Sequence, residues 1–374
     1  MTMKVGLVAC CLNTDHIRGM GHYVYEVMRQ GAADPDFAWT VFGNDPSRSL
    51  KVPPGHAAAV DVFEFRGDRF SLWEQVGLPR RARARQLDVL HCTEGVLPWW
   101  QPLPTVVTLH DTMAFEGRED RFGARLYWDR LQVAALRRCA AIITGSQSAR
   151  RDIVARWPDL AAKISVIPHG IAQEYLDPED KPAPSQLQLD LGETAYILYV
   201  GGPIARKRLD WAVEVMLALG DPSLRLVACG YGAAAAEAAR AKLPREAAER
   251  VVFAPFLSDE QLRALYRGAR AALYPTLYEG FGFPAIEAQA AGTPVLFSPV
   301  SSLAELVGPL TWGVEPHDLQ AWVAALRDVL SLPPATRTER AAEALKWART
   351  FSWRASAEKH LSIYRDVHER VPTR

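Results

Sequence analysis

Residues 274–296 read YPTLYEGFGFPAIEAQAAGTPVL and carry two carboxylates, Glu279 and Glu287, eight positions apart. An apolar strand over 271–274 ends at Pro275, a loop follows over 276–283, and Pro284 suits the first turn of a helix that runs to Ala291. Gly280 and Gly282 let backbone N–H groups come close to a ligand. The helix start beyond Phe281 and Phe283 favours an anion through its free N–H groups and dipole. A glutamate in such a loop can accept hydrogen bonds from sugar hydroxyls. Glu287, one turn into the helix, can reach a ribose diol on the same side. The plain alternative is a tight strand–helix turn with two solvated acids, and a lone Gly-x-Gly would favour it. The continuation EAQAAGTPVLFSP, with its Gly292-Thr293-Pro294 turn and buried strand, argues against that alternative.

A second stretch, YILYVGGPIARKRLDWAVE over 196–214, closes an apolar strand on Gly201-Gly202. It places Arg206 and Lys207 at the entrance of a helix from about Arg208. Two cations oppose the dipole of a helix N-terminus. That cost is explained if they face a polyanion such as a diphosphate, which arginine grips bidentately. The residues alone leave a solvated basic loop equally open.

Four other places carry side chains with chemistry. CCLNTDHIRGMGHYVYEVMRQ, 10–30, is strand, loop, Gly19-x-Gly21 and helix. It has half of a dinucleotide fingerprint, but Val24 stands where the third glycine belongs, so no dinucleotide cofactor is expected. The loop would still admit a diphosphate or an acceptor. TVVTLHDTMAF, 105–115, ends a strand in His110-Asp111, on the ligand edge of an α/β sheet, although a lone histidine is more often structural. DVLHCTEGVLPWW, 88–100, puts His91 and Glu94 after another strand, with Trp99-Trp100 as an apolar or sugar-stacking wall. VIPHGI, 166–171, ends a strand at His169. Asp111 and Glu94 are the acceptor-side candidates. Asp34-Pro35-Asp36 falls on the wrong side of a strand for a metal site and reads as a surface turn.

These loops need strands and helices to hold them. Strands are predicted over 5–11, 39–42, 59–63, 89–91, 105–109, 141–144 and 164–167, with helices over 21–29, 72–85, 124–138 and 148–155. After a Pro- and acid-rich stretch at 177–193, read as a linker, the alternation restarts. Strands follow over 196–200, 224–229, 251–253, 271–274 and 294–297, with helices over 209–219, 259–267 and 319–330. Short buried strands alternating with helices specify βαβ units and parallel sheets. Two such α/β domains place ligands beyond the carboxyl ends of strands, by default in a cleft between the domains.

The length of 374 residues favours two domains. Lys plus Arg number 43 and Asp plus Glu 43, so net charge gives no argument for nucleic acid as a partner. The five cysteines form no CxxC pair and read as reduced core residues of a cytoplasmic protein. No apolar run approaches a membrane span, and MTMKVGLVACCLNT reads as a first strand rather than a signal peptide. The basic stretch PRRARARQ, 79–86, reads as a solvated helix face that could touch anionic lipid, a peripheral contact at the inner membrane face.

Taken together, RGMGHY, FSLWEQVGLP, DVLHCTEGVLP, VVTLHD, VIPHGI, YVGGPIARKRLD, YPTLYEGFGFPAIEAQAAGTPV and FSWRASAEKHLSIYRDV cover nearly the whole chain. The chain resembles the retaining, metal-independent, family 4-like glycosyltransferases, the group of bacterial mannosyl- and glucosyltransferases. The resemblance implies a GT-B fold: α/β, two Rossmann-like doubly wound domains facing across a cleft. The domains are 1–178 and 179–354, with a last helix, 355–374, crossing back to the first. It implies a nucleoside diphosphate sugar donor (GDP-mannose or a UDP-sugar), no further cofactor, no metal, and a glycan or lipid-linked acceptor. Glu279 would contact the donor sugar, with Gly280–Phe283 beside it, and Glu287 the ribose. Arg206 and Lys207 would neutralise the diphosphate near Gly201 and Gly202. His110 would lie near the transferred sugar, with Gly19 and Gly21 lining the first domain's side. The family often has Asn where His169 stands and an acid or other residue where Gly202 stands, and SSLAELVGPLTWGVEPHD is shorter than its usual Pro-Glu-containing segment there. A GT-B nucleotide-sugar epimerase and a non-catalytic sugar-nucleotide-binding protein are the alternatives.

Overall fold

A computed structural model describes residues 2–14, 17, 19–55, 58–115, 126–177, 189 and 194–370. The expected linker at 177–193 lies outside the described residues except for Asp177 and Leu189. The chain divides into two compact units, Met1–Gly170 with Ser352–Arg374, and Ile171–Phe351.

The first unit holds β1 (Met3–Val8), β2 (Phe37–Gly43), β3 (Ala59–Val62), β4 (Val89–Cys92), β5 (Thr105–Thr108), β6 (Ala141–Thr144) and β7 (Ile164–Val166). They form one parallel sheet in the order β3-β2-β1-β4-β5-β6-β7. The second unit holds β8 (Tyr196–Val200), β9 (Arg225–Cys229), β10 (Val251–Phe253), β11 (Ala271–Tyr274), β12 (Val295–Phe297) and β13 (Thr311–Gly313). These are parallel too, in the order β10-β9-β8-β11-β12-β13. The inner strands are apolar on both faces because helices cover both: Val5, Leu7, Val106, Val107, Ile142, Leu198, Val227 and Leu273 are all buried.

The differences from the sequence reading have local causes. β1 stops at Val8, and Cys10–Leu12 turns into a 3₁₀ helix that feeds the glycine loop. The expected helices at 72–85 and 124–138 contain π-helical turns, Trp73–Gly77 and Leu126–Gln132. Both meet at buried Glu74, whose carboxylate accepts hydrogen bonds from Tyr127 and Gln132, each at 2.7 Å. Burial pushes that carboxyl up to about 7. The strand β13 and the helix Pro334–Ala348 went unread. Only three residues make the former, and a proline pair opens the latter. In the basic stretch, Arg85 and Arg81 are held at 2.7 and 3.8 Å from Asp61, so its charge is partly spent within the unit. Asp34 takes Arg365 at 2.7 Å, as a surface turn can. Among the described residues no helix is long and apolar enough to cross a membrane.

The helix Trp353–Glu369 belongs to the first unit and is joined to its sheet by an oriented hydrogen-bond chain. The Ser356 carbonyl can only accept, so His360 Nδ1–H donates to it at 2.8 Å. Neutral His360 then accepts at Nε2 from the Tyr23 hydroxyl, 2.8 Å away. Tyr23 in turn accepts from Thr108 at 2.7 Å, Thr108 from His91 Nε2–H at 2.8 Å, and His91 Nδ1 from Tyr364 at 2.7 Å. Each proton has one place, and the order holds only while both imidazoles are neutral. Burial pushes His360 down to about 4 and His91 well below its ordinary value.

An unfolded histidine takes its proton from about pH 6.5 downward. A depressed folded pKa therefore leaves stability whole above that pH and erodes it as pH falls toward about 4. Chemical denaturation should show stability falling from pH 7 to pH 5, by up to about 1.4 kcal/mol per pH unit for each such proton. His360→Gln should flatten the fall. An equally steep fall in the variant would remove His360 from the account.

Candidate functional site

An open parallel sheet leaves a crevice where its strand order reverses, at the carboxyl ends of the two strands concerned. In the second unit that reversal lies between β8 and β11. The loop after β8 carries Gly201, Gly202, Arg206 and Lys207, and the loop after β11 carries Thr276 and Glu279. Gly202 has φ 62°, and a Cβ there would sit 2.8 Å from the Gly230 carbonyl oxygen. Only glycine lets the loops after β8 and β9 pass so closely. The chain then makes a 3₁₀ turn, Ala205–Lys207, and enters the helix Leu209–Leu219 through Arg208, which is left-handed at φ 58°.

The two loops are stitched together. Leu277 N–H donates to the Arg206 carbonyl at 2.9 Å. Arg206 Nη1 donates to Glu279 Oε1 at 2.8 Å and to the Tyr278 carbonyl. Lys207 Nζ is 3.7 Å from the same carboxylate oxygen, and Thr276 Oγ1 is 3.1 Å from it. The side chains of Arg206 and Glu279 are 26% and 9% exposed, so the pair is shielded from water but open on one side. Two cations against one carboxylate leave a local surplus of positive charge. The loop after β8 is therefore neither a solvated basic loop nor a bare anion site. Its cations already hold an internal anion.

Glu287 lies in the helix Phe283–Ala290, where Tyr266 Oη donates to its Oε2 at 3.1 Å. Burial pushes its carboxyl up to about 7, with Asp259 adding to the rise and the Tyr266 bond and Lys207 opposing it. Gly282 caps that helix at φ 102°, and a Cβ there would meet Leu303 Cδ2 at 2.5 Å, so the loop's own path demands glycine. Gly280 sits in the same loop. Phe281 does not line the loop's surface. Its ring is buried in the core against Phe283 at 5.0 Å and Phe351 at 6.1 Å.

In the first unit the strand order reverses between β1 and β4. There the Cys11 N–H donates to Glu94 at 2.7 Å, joining the loops after those two strands. Burial raises the Glu94 carboxyl. His110, just after β5, donates from Nε2 to the Thr93 carbonyl at 3.0 Å and meets the Tyr23 ring edge-on at 5.3 Å. Burial pushes it down to about 4, so it is a neutral imidazole at physiological pH. Gly19 opens the helix Gly19–Gly31, and a Cβ on Gly21 would lie 2.7 Å from Ile17 Cγ2. Asp111 Oδ1 accepts from the Met113 N–H at 2.9 Å. His91 lies inside β4, within the predicted strand, and His169 is buried with its ring stacked on Trp353 at 5.9 Å. Trp99 and Trp100 are exposed. Sequence reasoning missed Thr276, Tyr266, Ser301 and Ser302. The hydroxyls of Thr276, Ser301 and Ser302 in loops, and of Tyr266 in the helix Asp259–Gly268, carry no local signal, and only the tertiary contacts show what they touch.

Two parallel sheets of this kind, each with polar loops at its reversal of strand order, define the GT-B class. The family model described as Glycosyltransferase Family 4 matches residues 17–175, and that described as Glycosyl transferases group 1 matches 186–347. The chain belongs to the family 4-like GT-B glycosyltransferases. It is 26% identical to the O-antigen chain mannosyltransferase RfbU of Salmonella typhimurium, over 61% of this chain and 62% of that one. It is 25% identical to the MMP alpha-(1->4)-mannosyltransferase of Mycolicibacterium hassiacum, over 72% and 66%. It is 30% identical to the D-inositol 3-phosphate glycosyltransferase of Corynebacterium glutamicum, over 60% and 57%. The matched stretches thus span less than two thirds of these relatives' lengths. The fold is also that of sucrose-phosphate synthase from Thermosynechococcus elongatus, with a TM-score of 0.76 at 20% identity, covering 99% of this chain and 100% of that one.

Two measurements check this geometry. Arg206→Ala leaves a shielded carboxylate short of its main partner and should destabilise the second unit by about 1–3 kcal/mol. Adding Glu279→Gln should restore part of the loss, whereas simple additivity in denaturant titrations would mean the pair is not coupled. For Glu287, a raised folded pKa means that ionising it costs stability, which is lost as pH rises from about 4.5 through about 7. The melting temperature of Glu287→Gln relative to the parent should therefore climb between pH 5 and pH 8. A constant difference would contradict the raised carboxyl.

Proposed function

We propose that the protein transfers a hexose, mannose or glucose, from a nucleoside diphosphate sugar to a hydroxyl acceptor with retention of configuration and without a divalent metal. The observation that carries the reading is the convergence of Arg206, Lys207 and Glu279 at the strand-order reversal of the second unit, with Glu287 one helical stretch beyond. A leaving diphosphate gains negative charge, and preorganised cations in a partly dry site are suited to stabilise it. The surplus positive charge around Glu279 has that character.

Retention by double displacement would need a free carboxylate against the anomeric carbon. Glu279 is already engaged by two cations and a hydroxyl, so its carboxylate is tied down rather than free to attack. Its role in this reading is to orient the sugar, while a leaving diphosphate oxygen takes the acceptor's proton on the same face. Glu287 holds the ribose diol. Neutral His110 shapes the sugar or acceptor site through its ring or carbonyl, with Glu94 and Asp111 on the acceptor side. The names of the mannosyltransferase relatives support mannose, and the UDP in the structure of Anabaena HepE, similar at a TM-score of 0.69 and 16% identity over 96% of this chain and 99% of that one, supports the donor class. A glycan or lipid-linked hydroxyl in surface-polysaccharide synthesis fits the O-antigen relative.

The test is turnover of GDP-, UDP- and ADP-sugars in EDTA, with the product linkage read by NMR. Retained configuration in EDTA is expected. Glu279→Gln should slow turnover without changing the anomer, and Arg206→Ala should cost on the order of 10² or more in rate. An inverted linkage, a glycosyl ester trapped on Glu279, or a strict Mg²⁺ requirement would overturn the mechanism. Ribose hydroxyls donating to Glu287 would also pull its carboxyl down. Nucleoside diphosphate binding at pH 7 should then release a fraction of a proton, seen as a buffer-dependent heat in calorimetry and absent in Glu287→Gln.

A further inference from the structure

The Glu279 side chain is engaged by Arg206, Lys207 and Thr276, but its backbone is held from another direction. The loop after β12 runs through Ser298–Ser302 into the short helix Leu303–Leu306. Ser301 Oγ accepts from the Glu279 N–H at 2.8 Å. Ser302 Oγ is 2.8 Å from the Glu279 carbonyl and 2.9 Å from the Phe281 carbonyl, and the Ser302 N–H reaches the Glu279 carbonyl at 3.4 Å. Ser302 is fully buried, and Leu303 packs against Gly282, where a Cβ would lie 2.5 Å from Leu303 Cδ2. Both backbone groups of Glu279 are thus gripped by consecutive serines from a neighbouring strand's loop.

Ser301 has φ 48°, in the left-handed region. That conformation is costly for any residue with a Cβ, and glycine would adopt it freely. Serine is not among the side chains that favour it. A strained residue persists where surrounding contacts impose it, and such residues cluster at functional sites. The contact that serine makes and glycine would lose is the one to the Glu279 N–H. The backbone strain is therefore spent on the one residue of this loop whose carboxylate meets both cations. A one-ångström displacement of a positioned group can cost about 10²-fold in rate.

We infer that Ser301 and Ser302 are positioning residues that set where the Glu279 carboxylate meets Arg206 and Lys207. The inference rests on the transferase reading for its catalytic consequence, though not for its geometry. Ser301→Gly removes the hydroxyl and relieves the backbone, so the melting temperature should hold or rise. The turnover number should nevertheless fall about tenfold or more, with the donor KM changed less than about threefold. Ser301→Asn tolerates the left-handed region and offers an acceptor oxygen, so it should recover part of the rate. In a Glu279→Gln background, Ser301→Gly should cost less than about twofold, because the group it positions is gone. An equal loss in both backgrounds would overturn the inference, as would a Ser301→Gly enzyme with full turnover.

The two readings fail separately. If Glu279→Gln turns over like the parent, the transferase role of Glu279 fails. Amide hydrogen exchange then decides the positioning. Exchange over 277–283 should quicken in Ser301→Gly with the rest of the second unit unchanged, and unchanged exchange over 277–283 would overturn it.

Discussion

The Glu279 carboxylate between Arg206 and Lys207 is the interaction on which the second unit's site depends. Like charges side by side at a helix entrance repel each other and oppose the helix dipole. A shielded carboxylate without partners would be costly in its own right. Placed at 2.8 and 3.7 Å, the three groups offset one another and leave a positive remainder. Neither charge type could occupy this place without the other. That coupling explains why the loop after β8 and the loop after β11 are tied backbone to backbone as well, from Leu277 N–H to the Arg206 carbonyl.

The rest of the second unit serves to hold that meeting point. A parallel sheet whose order reverses between β8 and β11 brings the loops after these two neighbouring strands together at a crevice that no crossover covers. Gly202 and Gly282 permit the tight paths that result, one against the Gly230 carbonyl and the other against Leu303. Glu287 then falls on the helix that starts where the second loop ends. Its carboxyl, raised to about 7 by burial, can change its charge state near neutrality.

The first unit is organised by neutrality instead of charge. Burial holds His91, His110 and His360 uncharged, and the chain from Tyr364 to Ser356 has a single consistent proton order. The helix Trp353–Glu369 is fastened to the sheet by that order. A site whose imidazoles stay neutral presents hydrogen-bond donors and acceptors without fixed positive charge. This contrasts with the cationic loop of the second unit.

Much of this was legible in the linear chain. Apolar runs at 141–144, 196–200, 251–253 and 271–274 became strands with those bounds, because strands covered by helices on both faces read as nearly continuous apolar runs. The residue types that do chemistry were legible for a similar reason: glycines, paired acids and adjacent cations are poor choices for helix and strand interiors, so they stand out. Which partners those residues take was decided by tertiary structure. Arg206 and Lys207 could be read as a solvated loop or an anion site, and only the return of the chain 73 residues later shows Glu279 between them. Phe281 stands in the loop, but its ring turns into a core built from residues as distant as Phe351, which no local pattern reveals. Ser301 and Ser302 carried no mark at all. Local sequence determines backbone preference and burial, since both depend on neighbours within a few residues. The pairing of charges and hydroxyls across loops depends on strand order, and strand order exists only once the sheet has formed.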